Sequence, residues 1–153
     1  MSNSFLNAPY ALAHDEGKRF YSFGELLIVV EANSQQTGGA FNLFEVTCPP
    51  CFATSLDIHY AEDIAIYVLE GALTFFWGSE RKLAAAGSYL YQPRGIPHGF
   101  RVEGDLPARI LYLTLPGGMD QFVSEQGTLF PQSSENLTPA ARHKIEILGA
   151  LPQ

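Results

Sequence analysis

Two short segments carry the side chains of this chain that could do chemistry. The first is Asp57-Ile-His59, followed by Glu62, Ile64 and, further on, Gly71. The second opens at Gly87 and runs through Pro93-Arg-Gly95-Ile-Pro to His98. Each brings an imidazole to a strand beside a glycine turn. Neutral imidazoles and carboxylates hold first-row transition metals, and they also hydrogen-bond small organic molecules. Residues i and i+2 of a strand share a face, so Asp57 and His59 project to one side. Ile64 and His98 are expected to join them.

The elements that must position these groups read as strands. Apolar or aromatic runs recur at Phe20 to Phe23, Leu26 to Glu31, Ala40 to Thr47, Ile64 to Leu69, Leu73 to Trp77, Tyr89 to Tyr91, Gly99 to Val102 and Ala108 to Leu115. Gly, Pro, Asn or Asp punctuate between them, which is the pattern of a sandwich or barrel. No interval has room for a crossover helix, so the pairing is expected to be antiparallel. Two helices are expected at the C-terminal end. One runs from about Met119 to Gln126, the other from about Pro139 to Ile147, entered through Thr138 as an N-cap.

Composition narrows the partners. With 153 residues, 46% hydrophobic and 16% charged, the chain can bury one substantial core, and a single domain over residues 1–153 is expected. A net charge of −7 without a basic run argues against nucleic acid and anionic membranes. Met1 to Gly17 has no cationic stretch leading into an apolar core, and Leu26 to Val30 is far too short to span a bilayer. A soluble, cytoplasmic protein is expected. Cys48-Pro-Pro-Cys51 has redox or zinc spacing but neither a βαβ context nor a second cysteine pair, so two free thiols are expected. His14 and His143 read as solvated surface residues.

Gln36-Thr-Gly-Gly-Ala-Phe, Pro49-Pro50, Tyr67-Val-Leu-Glu-Gly71, Pro93-Arg-Gly-Ile-Pro-His98, Phe100-Arg-Val-Glu-Gly104 and Pro116-Gly-Gly stand out as a set along the chain. By these motifs, across nearly its whole length, the chain resembles the quercetin-dioxygenase-like branch of the cupin superfamily. It implies an all-β fold, an antiparallel double-stranded β-helix or jelly-roll barrel. The barrel core would span about 36–118, with a C-terminal helical extension over about 119–153. The family's first motif runs H-x-H, a few residues, Glu, six residues, Gly, and the second runs Gly, five residues, P-x-G-x-x-H. Laid on this chain, Gly71 puts Ile64 at the glutamate position, and Asp57 and His59 take the two histidine positions. The second motif is intact from Gly87 to His98. The implied ligand set is Asp57, His59 and His98, with Glu62 as a substitute if its turn swings inward. That inventory equals a two-histidine, one-carboxylate triad for a single divalent transition metal, Fe, Mn, Ni, Cu or Zn. Ile64, however, deletes an anionic ligand, and the carboxylate of Asp57 reaches about 2 Å less far than a distal imidazole nitrogen. A barrel without metal is the competing expectation.

Alternation from His98 turns Phe100 and Val102 inward, and alternation from Ile64 does the same for Ile66 and Val68. The expected pocket is apolar with His59 and His98 at its floor, suited to an aromatic or organic-acid ligand. Three functions follow. One is a metal-free binder of such a small molecule; the second is a metal-dependent dioxygenase-like oxidoreductase using Asp57, His59 and His98. The third is a structural homodimer with a vestigial site. The apolar stretch Phe20 to Val30 is the candidate dimer edge. If the two departures from the motif are what weakens metal binding, Asp57→His combined with Ile64→Glu raises affinity for Fe(II), Mn(II) or Ni(II). Calorimetry showing no gain in a folded double variant would trace the loss to site geometry instead.

Overall fold

The computed structural model describes residues 8–22, 25–126 and 143–153. In chain order its elements are β1 (Lys18–Ser22), β2 (Leu26–Ala32), β3 (Asn42–Cys48), β4 (Ser55–His59), β5 (Asp63–Glu70), β6 (Ala72–Trp77), β7 (Glu80–Ala85), β8 (Tyr89–Gln92), β9 (His98–Val102), β10 (Ala108–Leu115), α1 (Met119–Gln126) and β11 (Ile145–Ala150). Strict alternation builds the inner rows. β3 buries Asn42, Phe44, Val46 and Cys48, and β5 buries Ile64, Ile66 and Val68. In register, Tyr112 of β10 lies between Phe44 and Ile66.

Two sheets result, both antiparallel. One has the order β1-β2-β3-β10-β5-β8 and the other β11-β4-β9-β6-β7. Their facing rows form a shared core, to which the second sheet contributes Leu73, Phe75, Phe100 and Val102. This is the double-stranded β-helix expected from the sequence. The polar strand β7 escaped the sequence reading because Ala84 is its one buried side chain, as suits a sheet edge. Gly71 makes the β5–β6 turn at φ 80°, and a Cβ there would lie 2.7 Å from the Pro107 carbonyl oxygen.

The C-terminal end departs from expectation. Of the helix expected from Pro139 to Ile147, residues 139–142 lie outside the described residues. Ile145 to Ile147 belong instead to β11, which pairs with β4 through Ile145↔His59, Ile147↔Asp57 and Ala150↔Ser55. The cause is tertiary. β4 meets β9 at the single register pair Asp57↔His98, so its other edge offers unpaired backbone groups. A segment with β-branched residues at 145 and 147 satisfies them, and the ladder overrides local helical preference. His143 is corrected with it: its side chain is 14% exposed, stands 3.4 Å from Glu125, and tilts against the Phe122 ring at 5.6 Å.

The first helix forms as expected, and side chains fix its start. Buried Asn42 donates to the Ala32 carbonyl and the Ser34 hydroxyl, and its carbonyl oxygen accepts from the N–H groups of Gly118 and Asp120. The Asp120 carboxylate accepts from the Ser34 N–H at 3.0 Å and its hydroxyl at 2.6 Å. Met119, Phe122 and Val123 are thereby turned into the core. At the other end of the chain, the stretch Phe20 to Val30 is used within the subunit: β1 and β2 pair, and β2 continues to β3. β1 is left as one of the sheet's two outer strands, β8 being the other. Among the described residues no helix is long and apolar enough to cross a membrane.

Gly71→Ala should lower stability by about 1–3 kcal/mol, the usual cost of a strained left-handed position. Urea unfolding with an unchanged midpoint would contradict the close approach at this turn.

Candidate functional site

The site is built on β4 and the turn that follows it. His59 and His98 are both buried, and their rings stack with centroids 4.9 Å apart and planes at 22°. The His98 Nδ1 stands 3.0 Å from the Ile96 carbonyl, to which its N–H donates. Burial, aided by the neighbouring His59, pushes the His98 imidazole down to about 4. Asp57 Oδ1 accepts the Ser55 hydroxyl at 2.5 Å. Burial raises its carboxyl, and the Ser55 hydroxyl and His59 offset part of that rise.

The turn after β4 swings inward. Asp63 accepts from the backbone N–H of Arg94 at 2.9 Å and from its guanidinium at 3.1 and 3.2 Å. The Gly95 N–H donates to the His59 carbonyl at 2.8 Å, and the Tyr60 N–H donates to the Lys144 carbonyl at 3.0 Å. Clamped on both sides, the turn drives Glu62 into the interior, where it is 3% exposed. Its Oε2 comes 3.7 Å from His59 Nδ1. Among the described residues neither of these two buried atoms has a hydrogen-bond partner. Burial, together with the charges of Glu62 and Asp57, pushes the Tyr112 phenol up.

Beside these groups lies a cavity of about 280 Å³. Its polar lining comes from Thr54, Ser55, Asp57 and His59 on one chain segment and from Tyr112 opposite; the rest is apolar, including Phe44 and Val46 of β3 and Met119, Phe122 and Val123 of α1. Of the residues expected in the pocket, Phe100 lines it. Ile64, Ile66, Val68 and Val102 are packed in the core and are not part of the lining. Nor is His98, which stacks on His59. Inward alternation locates a core row correctly, but it cannot say which part of that row faces a void. Tyr112 and the α1 residues were missed. Tyr112 was within reach, because it shares its alternating row with Ile110.

The donors do not fit a metal as they stand. Among the described residues no three His, Cys, Asp or Glu side chains are grouped as a metal site requires. Stacked imidazoles run parallel where ligands would converge, the Ser55 hydroxyl occupies one oxygen of Asp57, and Ile64 is fully buried at the glutamate position. Cys48 is buried, with its thiol pushed up to about 12, and Cys51 is exposed; both are free.

A two-sheet jelly roll carrying these histidines on the strands around its glycine turns is a cupin barrel, and residues 44–114 match the Cupin domain family. The chain is 30% identical over 136 residues to the quercetin 2,3-dioxygenase of Bacillus subtilis (strain 168), covering 85% of this chain and 40% of the relative. It belongs to the quercetin-dioxygenase-like cupins and spans about two fifths of the length of that curated relative. Among solved structures, the TT1209 protein of Thermus thermophilus is 28% identical with a TM-score of 0.56, covering 64% of this chain and 90% of that one. The polyketide cyclase RemF of Streptomyces resistomycificus shares the fold at a TM-score of 0.63 and 21% identity, covering 71% of this chain and 80% of that one.

The depressed His98 predicts a pH dependence. An unfolded chain protonates this ring near its ordinary pKa of about 6.5, whereas the folded protein resists until about 4. Between those values the unfolded state binds more protons, so stability is full above pH 6.5 and is lost as pH falls. The loss should reach up to about 3 kcal/mol and should shrink in His98→Asn. Urea midpoints with the same pH slope in both proteins would contradict it.

Proposed function

We infer that the protein binds a small, flat, largely apolar organic molecule in the barrel cavity. The observation that carries this is the lining itself: an apolar void whose polar groups are concentrated on the strand of Asp57 and His59. Among the described residues no lysine or arginine lines it, which favours an aromatic ligand over an organic acid. The likeness to a quercetin 2,3-dioxygenase supports the same ligand shape, and it is the one observation behind a second reading, metal-dependent oxidation. The donor arrangement weighs against that reading. Two free thiols accord with a reducing, cytoplasmic setting, and the outer strand β1 is where a second copy would pair to give a homodimer.

Calorimetry against a panel of phenols, flat aromatic ketones and aromatic carboxylates tests the binding reading. Val46→Phe or Ile28→Phe fills the void and should weaken the best ligand at least tenfold, about 1.4 kcal/mol. A panel without a binder, or binding indifferent to both substitutions in folded protein, would sink it. One equivalent of transition metal in the purified protein, lost on His98→Ala, would establish the second reading in its place.

A further inference from the structure

We propose that Glu62, which lies outside the family's motif, is a positioning residue that sets the tautomer of His59 and thereby decides which hydrogen-bonding partner the cavity accepts. The starting point is a pair of orphaned atoms. His59 Nδ1 and Glu62 Oε2 are both sealed from solvent, neither has a hydrogen-bond partner among the described residues, and they stand 3.7 Å apart. Leaving either unmatched is costly, and for a buried carboxylate more so. Each is the group the other lacks. A contraction of a few tenths of an ångström, within the ordinary motion of two side chains, makes the bond.

The backbone around Glu62 shows that its inward course is built. Asp63, next in the chain, is gripped by Arg94 through three hydrogen bonds, and His59 accepts the Gly95 N–H through its carbonyl. Tyr60 is tied by its N–H to the carbonyl of Lys144, just before β11, and by its hydroxyl to Glu146 of β11. With both neighbours of the turn fixed, the carboxylate is delivered to one particular ring nitrogen of His59.

The consequence lies on the opposite side of the ring. In a neutral imidazole one nitrogen donates and the other accepts, and the hydrogen bond made by one fixes the role of the other. A carboxylate at Nδ1 keeps the proton there. His59 lines the cavity, and its remaining nitrogen, Nε2, is then an acceptor. Asp57, which shares that lining, also accepts, its Oδ1 already taking the Ser55 hydroxyl. The cavity therefore selects a ligand that presents an O–H or N–H donor to β4, and disfavours one that offers a bare carbonyl or ether oxygen at that point. This rests on the cavity being a ligand site, but the tautomer itself does not.

The ligand-free protein therefore supplies the test. Nitrogen-15 imidazole NMR at neutral pH should show His59 protonated at Nδ1. In Glu62→Leu the signal should move to the Nε2-protonated form, and Glu62→Gln should give a mixture. His98, whose Nδ1 is held by the Ile96 carbonyl, should keep its tautomer throughout. If Glu62→Leu does not fold, Glu62→Gln alone decides. A wild-type ring protonated at Nε2, or a His59 signal unmoved in every folded variant, overturns the proposal. Matched ligands differing by O-methylation give the second readout: methylation should cost wild type at least tenfold in affinity and Glu62→Leu much less. An Nδ1-protonated His59 in a protein that binds none of the panel would sink the binding reading and leave the role of Glu62 standing.

Discussion

The pairing of β4 with β11 is the interaction on which the site depends. β4 carries Asp57 and His59, yet its ladder to β9 consists of one register pair. β11 adds five pairs along the opposite edge, drawn from the far end of the chain. The remaining contact with β9 is made close by Gly99, where an added Cβ would lie 2.5 Å from Leu151 and 2.7 Å from the Ser55 carbonyl. A side chain there would push β4, β9 and the tail apart. The polar wall of the cavity is thus held by backbone bonds from residues remote from it in sequence.

Around that wall, burial and charge act against each other. Two imidazoles and two carboxylates share a small volume, and burial alone would drive all of them toward neutrality. His98 yields fully, held neutral by its surroundings. Asp57 is partly rescued by the Ser55 hydroxyl and by His59. Ile64 removes a carboxylate from the position where the family pattern has one, while Glu62 brings one in from the turn to within 3.7 Å of the His59 Nδ1.

Sequence reasoning located the strands, because alternation of Phe44, Val46 and Cys48 or of Ile64, Ile66 and Val68 is a direct consequence of the pleat. It also brought Asp57, His59 and His98 into one neighbourhood. It failed at β11, where local helix signals around Thr138 and Pro139 carried no information about an edge left open elsewhere. The cavity lining failed for a related reason. Which inward residues touch a void is a property of how two sheets and a helix meet, and no single strand encodes it. Glu62 was legible only as a conditional, since its direction depends on Asp63 finding Arg94 in the loop that follows the neighbouring strand β8.

The helix over the cavity differs in kind from the rest of the enclosure. The sheets are held by backbone ladders, whereas α1 is eight residues long and is held by side chains, Asn42, Ser34 and Asp120 at its first turn and His143 beside Phe122 and Glu125 further on. A short element secured by a few side-chain bonds belongs to the low end of a protein's local opening free energies, well below a barrel strand. Its amide hydrogens can exchange through excursions that leave every strand pairing intact. The strand ladders do not run through that roof, so local opening there exposes the interior to solvent without global unfolding.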